Sequence, residues 1–239
     1  MIFLPSEPWV LPIAIDQQRA NYEHRDGWLF DRVCAPQHDV RIELAARGFV
    51  FRDKLQRRVL REILHDSAGL LAVTPPLNNA VRAVIAEIVL LKARPAFDIS
   101  HSEPRWPQTI FISVPGRLGQ VGALRAVENI VHEAMHLQLT ILEQANPLIA
   151  DGVTKMASPW RKEPRYLQGV LHGFYVFRCI DVFFSLLSLS GLLNEEGAHH
   201  VARRRAQIAV ELSRLDYDRL AHGMTKTGRL FLAALACKH

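Results

Sequence analysis

The sequence predicts a mainly α-helical protein with one small antiparallel β element, an α+β arrangement in a single domain. Three observations lead there. Long stretches rich in Ala, Leu, Arg and Glu carry apolar residues at helical spacing. Only two short runs, "AFDIS" and "QTIFISV", have the β-branched and aromatic density of strands. Apolar residues make up 49% of the 239, enough for a sizeable core, and no repeat, low-complexity tract or linker divides the chain.

Taken in order, residues 1–38 mix prolines, aromatics and charges without sustained periodicity, and read as an N-terminal arm packed on the domain. Residues 39–239 form the helical domain. "DVRIELAARGFV" and "DKLQRRVLREILHDSAGLLAV" are its first helices, punctuated by Gly48 and by Pro75 and Pro76. "LNNAVRAVIAEIVLLKA" is the next, ended near Pro95. The two strand runs, joined by "HSEPRWP" and closed by Pro115 and Gly116, suggest a hairpin. A helix from about Val121 to Ala145 follows, apolar around most of its circumference and therefore buried. "NPLIADGVTKMASPWRKEPRY" reads as a long connection of the kind that carries function. Three helices close the chain, about Leu167 to Leu192, Glu195 to His222 and Thr225 to Ala236, with Gly191 and Gly223 as stops.

Composition narrows the partners. The net charge of +5 is spread along the chain apart from Arg203, Arg204 and Arg205, and no nucleic-acid-binding module is present, so no nucleic-acid partner is expected. The most apolar stretch, Val182 to Leu193, is too short to span a bilayer, and the opening lacks the basic start of a secretory signal; no membrane partner is expected. Cys34, Cys179 and Cys237 are few, odd in number and widely spaced, which suits a reducing cytoplasm better than a disulfide framework. The sequence leaves oligomeric state open.

The chemistry centres on "NIVHEAMHLQLT". On a helix, residues four apart share a side, so His132 and His136 can offer two imidazoles to one metal ion, as on the motif helix of zincins. Glu133 lies about 100° further round the helix, placed to act on a metal-bound water or to hold a neighbouring group. Glu128, one turn before His132, suits either a hydrogen bond that fixes that imidazole or a solvent-facing position. The longer zincin pattern fails, because Leu139 stands where its Gly is required. Glu143 is too far along the axis for the same ion. His172 in "GVLHGFYVF" is the better third ligand: it interrupts a very apolar stretch, and Gly173 beside it permits close approach. His101 is the reserve. His199, His200 and His222 stand where exposed histidines are ordinary. By spacing alone the metal would be zinc and the reaction peptide hydrolysis, with Glu133 as general base.

The match extends beyond that motif. "VENIVHEAMHLQL", then "SPWRKEPRYLQGVLHGFYVF", then "MTKTGRLFL" resembles, in this order, the αKG-HExxH-type peptide β-hydroxylases, HExxH proteins of ribosomal peptide modification. The resemblance runs from about Val81 to the C terminus. It implies an Fe(II) enzyme that uses 2-oxoglutarate and O2 to hydroxylate a β-carbon in a precursor peptide. It also implies His132, His136 and His172 as iron ligands, and it places Trp160, Arg161 and Arg165 at the co-substrate. Tyr166 stands where that family often has proline. The distal carboxylate of 2-oxoglutarate needs a cation, for which Arg165 is the first choice and Arg161 the second. An extended peptide could pair along the edge of "QTIFISV".

Overall fold

The computed structural model describes residues 27–52, 57–93, 97–116 and 118–236. In chain order the elements are α1 (Trp28–Asp31), β1 (Val33–Cys34), α2 (His38–Ala46), α3 (Arg57–Ala72), α4 (Pro75–Val84), β2 (Glu87–Leu91), β3 (Ser100–Ser102), β4 (Thr109–Ser113), α5 (Gln120–Ala145), β5 (Lys155–Ser158), β6 (Arg161–Tyr166), α6 (Leu167–Leu189), α7 (Glu195–Ser213), α8 (Tyr217–His222) and α9 (Lys226–Ala236). The protein is mainly helical with two small sheets.

The first sheet has the order β1-β2-β4-β3, with β1, β2 and β4 parallel and β3 antiparallel at one edge. Alternate residues of β2 and β4 serve two cores. Ile88, Leu90, Ile110 and Ile112 join the main core with α3, α5 and α6, whereas Val89, Leu91 and Phe111 pack against Val40 and Leu44 of α2.

Two expectations about this sheet are corrected. "EIVLL" does not prolong a helix: α4 stops at Val84 and the run becomes β2, paired on both sides. A parallel strand covered on both faces is continuously apolar, so periodicity cannot separate it from a buried helix. Pro75 and Pro76 stand at the expected break, after α3 has ended at Ala72, and form the first turn of α4, at positions where a missing N–H costs nothing. The expected antiparallel pair is present as β3 and β4, with β3 displaced onto "SHS". β4, however, is interior, so "QTIFISV" offers no free edge.

Elsewhere the connection after α5 folds into the β5–β6 hairpin, and the expected helix over Glu195–His222 is two, separated where Asp216 caps α8 by accepting from the Arg219 N–H. Residues 1–26 of the expected arm, and Cys237, lie outside the described residues; from residue 27 onward the chain supplies buried Trp28 and Leu29 and the edge strand β1. α6 ends at Leu189, ahead of Gly191, whose φ is 74°. Taken whole, α6 is long and apolar enough to cross a membrane, contrary to the reading of its second half alone, yet 61% of its most apolar window is buried inside the fold. It is a core helix packed on α5 and α7.

Candidate metal centre and its cleft

α5 and α6 lie side by side and bring the three predicted imidazoles into one neighbourhood. His136 Nδ1 is 3.3 Å from His172 Nδ1, with the rings stacked at a centroid distance of 5.5 Å; the His132 ring stands edge-on to His136 at 4.9 Å. The His172 Nε2 lies 2.8 Å from Glu143 Oε2. With Nε2–H donating to that carboxylate, His172 presents the Nδ1 lone pair toward His136. Glu143 holds the outer nitrogen of an imidazole, a role its distance along α5 makes possible.

The donor chemistry suits a transition metal. Burial, followed by Arg204 and Arg161, pushes the His132 pKa down to about 4, and burial, followed by the neighbouring His132, His172 and Arg165, holds His136 well below the usual range. Both are neutral imidazoles at neutral pH. A nitrogen pair 3.3 Å apart falls between the separations, about 3.0 and 3.4 Å, that right-angled and tetrahedral pairs of ~2.1 Å bonds produce. The third nitrogen is less advanced. His132 Nε2 is 3.9 Å from Glu133 Oε1, and among the described residues no group of three His, Cys, Asp or Glu donors is arranged closely enough to hold an ion as it stands.

Glu133 is 3% exposed. Its Oε2 accepts a 2.6 Å hydrogen bond from the Ser102 hydroxyl of β3, and Ser100 contributes a second hydroxyl. Burial outweighs both hydrogen bonds and pushes the Glu133 pKa up to about 7. Glu128 does not reach His132 for a hydrogen bond; its Oε1 is 2.6 Å from Arg204 Nε of α7, because a guanidinium on the adjacent helix is the stronger partner for a buried carboxylate. His101, the reserve ligand, pairs across from Phe111 and so points to the α2 side of the sheet, where Glu103 and Phe49 hold its ring. His199 and His222 are exposed, as expected, but both ring nitrogens of His200 are buried, without a partner among the described residues.

The imidazoles open into a cleft of about 550 Å³, walled on one side by β3 and on the other by β6 and α6. Trp160 lies flat on α6: a Cβ on Gly173 would come within 2.7 Å of its ring, so the close approach that Gly173 permits is taken by this indole. Trp160 stacks on Phe177 at 5.2 Å, and Arg204 covers the same phenyl ring from 5.3 Å. The Trp160 Nε1–H is buried and unpartnered among the described residues. Arg165 lies along Gly169, and Arg161 and Arg165 both line the cleft. Neither guanidinium has an ion pair or side-chain hydrogen bond within the described residues. By contrast, the 640 Å³ cavity between α1 and α3 sets Asp31 and Glu62 among Arg57, Arg58 and Arg61.

Sequence reasoning did not find Ser100, Ser102, Phe177 or Arg204. Glu143 was visible as a conspicuous carboxylate on the motif helix, whereas two serines in a short polar segment carry no signal until pairing with β4 puts them beside α5. Compared with known proteins, the chain matches no family model and no curated protein sequence.

Proposed function

We propose that this chain is a non-haem Fe(II) and 2-oxoglutarate-dependent oxygenase that hydroxylates a β-carbon of a residue in a ribosomally made precursor peptide, acting in the cytoplasm. The observation that carries the reading is the cleft itself, where the two neutral imidazoles of α5 and the His172 ring of α6 share one space with Arg161 and Arg165, which have no counter-ion among the described residues. Such a space suits a cation held by nitrogen and a dianionic oxoacid beside it. The sequence resemblance supplies the reaction type.

In this reading His132, His136 and His172 hold the ion, with His172 oriented by Glu143. Bound Fe(II), with 2-oxoglutarate and O2, supplies the oxidising power for C–H hydroxylation. Arg165, first, or Arg161 grips the distal carboxylate through a guanidinium fork, and the Trp160 Nε1–H is a further donor on the same wall. Trp160 and Phe177 keep bulk water off that side. The peptide runs along β3, since β4 is interior and β3 is the sheet edge that lines the cleft.

The alternative, a zinc peptidase with Glu133 as general base, is less well supported, because one carboxylate oxygen that would take a proton from water is already engaged by Ser102. Anaerobic loading with Fe(II), followed by 2-oxoglutarate, oxygen and the precursor peptide encoded beside this chain, is the test. One oxygen gained by the peptide for each succinate formed is expected. Peptide cleavage with zinc, and no succinate with iron, would replace this reading with the other.

A further inference from the structure

We infer that Glu133 is a positioning residue: through Ser100 and Ser102 it fastens edge strand β3 to the motif helix, and so presents that strand's outward backbone groups to an extended peptide. The inference depends on the hydroxylase reading only for the identity of the chain that pairs there.

The register gives the argument. Ser100 stands opposite Ile112 and Ser102 opposite Ile110, on the face of the sheet that packs on α5, so both hydroxyls face the motif helix. Antiparallel ladders alternate between residues bonded inward and residues whose N–H and C=O point outward. The Ser113 N–H donates to the Ile99 carbonyl, which makes Ile99 and His101 the inward pairs. Ser100 and Ser102 therefore direct their backbone groups away from β4, along the cleft. The two residues that would pair with a peptide are the two whose side chains are tied to Glu133.

β3 needs that tie. It has three residues and one neighbouring strand, and short edge strands hold position weakly. A carboxylate accepting from a hydroxyl at 2.6 Å is a strong, directional anchor. As an anchor, Glu133 needs one oxygen engaged, and Oε2 is engaged by Ser102. Glutamine keeps a carbonyl oxygen that can accept from a serine hydroxyl, so Glu133→Gln preserves anchoring but not basicity.

Hydrogen exchange in the metal-free protein tests the anchor without any assumption about the reaction. The His101 amide, which bonds inward to β4, should exchange about tenfold faster in Glu133→Ala and in the Ser100→Ala/Ser102→Ala double variant, and within about threefold of the parent rate in Glu133→Gln. In turnover, the double variant should raise the KM for the precursor peptide about tenfold with kcat within about twofold. The charge-transfer absorption of Fe(II) chelated by 2-oxoglutarate should be unaltered in the double variant. Parent-like His101 exchange in Glu133→Ala, or exchange in Glu133→Gln as fast as in Glu133→Ala, overturns the inference. If the parent shows no charge-transfer absorption, the hydroxylase reading falls, and the exchange rates still decide the role of Glu133.

Discussion

The two halves of α5 bury polar groups in opposite ways. In the N-terminal half every charge is closed: Arg125 grips Asp98 through two 2.8 Å bonds, Glu128 meets Arg204, and Asn129 donates to the Ser113 carbonyl. From His132 onward, His132, Glu133 and His136 meet each other, serine hydroxyls and His172, while the nearby Arg161 and Arg165 have no counter-ion among the described residues. Closed pairs fix the helix against the sheet and α7. Buried imidazoles pushed off their ordinary titration range destabilise a fold unless something else occupies the space they face, and together with the exposed Arg161 and Arg165 beside them they mark the stretch of the helix that we propose does the chemistry.

The comparison breaks most directly at His136. His136→Ala should lower the affinity for Fe(II) or Zn by well over about 100-fold, measured by metal content after dialysis against a competing chelator, with little change in thermal stability of the metal-free protein. Retained metal would mean that the C-terminal half is merely another polar patch. Glu128→Ala addresses the other half. It strands Arg204, whose side chain is 20% exposed, and should cost about 2 to 3 kcal/mol in urea unfolding, somewhat below the range for a fully buried pair, while metal affinity stays near that of the parent.

Glu143→Ala tests whether the closing partner of His172 belongs to the site. It should weaken metal binding by about 10- to 100-fold, roughly 1.4 to 2.7 kcal/mol, without removing a ligand. A loss as large as that of His136→Ala would place Glu143 on the ion itself. The smallest effect concerns His200, on α7. Burial, then Arg203, Arg125 and Arg204, lowers its pKa below 6.5. The unfolded chain therefore takes up the proton first as pH falls below that value, and stability declines through this window; above it His200 contributes nothing. In His200→Gln the urea midpoint should fall less between pH 7 and about 5.5 than in the parent.

Much of the site was legible because it depends on local geometry. The i and i+4 placement of His132 and His136 follows from helical pitch, and Gly173 next to His172 foretold the close approach that Trp160 now fills. Glu128 was the miss on the same helix: spacing alone offered it His132, but the choice was made by Arg204, 76 positions away. β2 was missed for a related reason, since its unbroken apolar run reflects cover on both faces of the sheet, which only the assembled fold provides.

The sequence by itself determined most of the helices and the spacing of the paired histidines, because each is fixed by residue type and by periodicities of a few residues. Tertiary structure decided which groups complete the candidate centre. Placing β3 over α5 gave Glu133 its serines, packing α6 on α5 set His172 between His136 and Glu143, and folding the β5–β6 hairpin across the cleft brought Trp160, Arg161 and Arg165 to the same space. Those contacts join segments tens of residues apart, and their partners are selected by burial and charge in three dimensions, which no local pattern records.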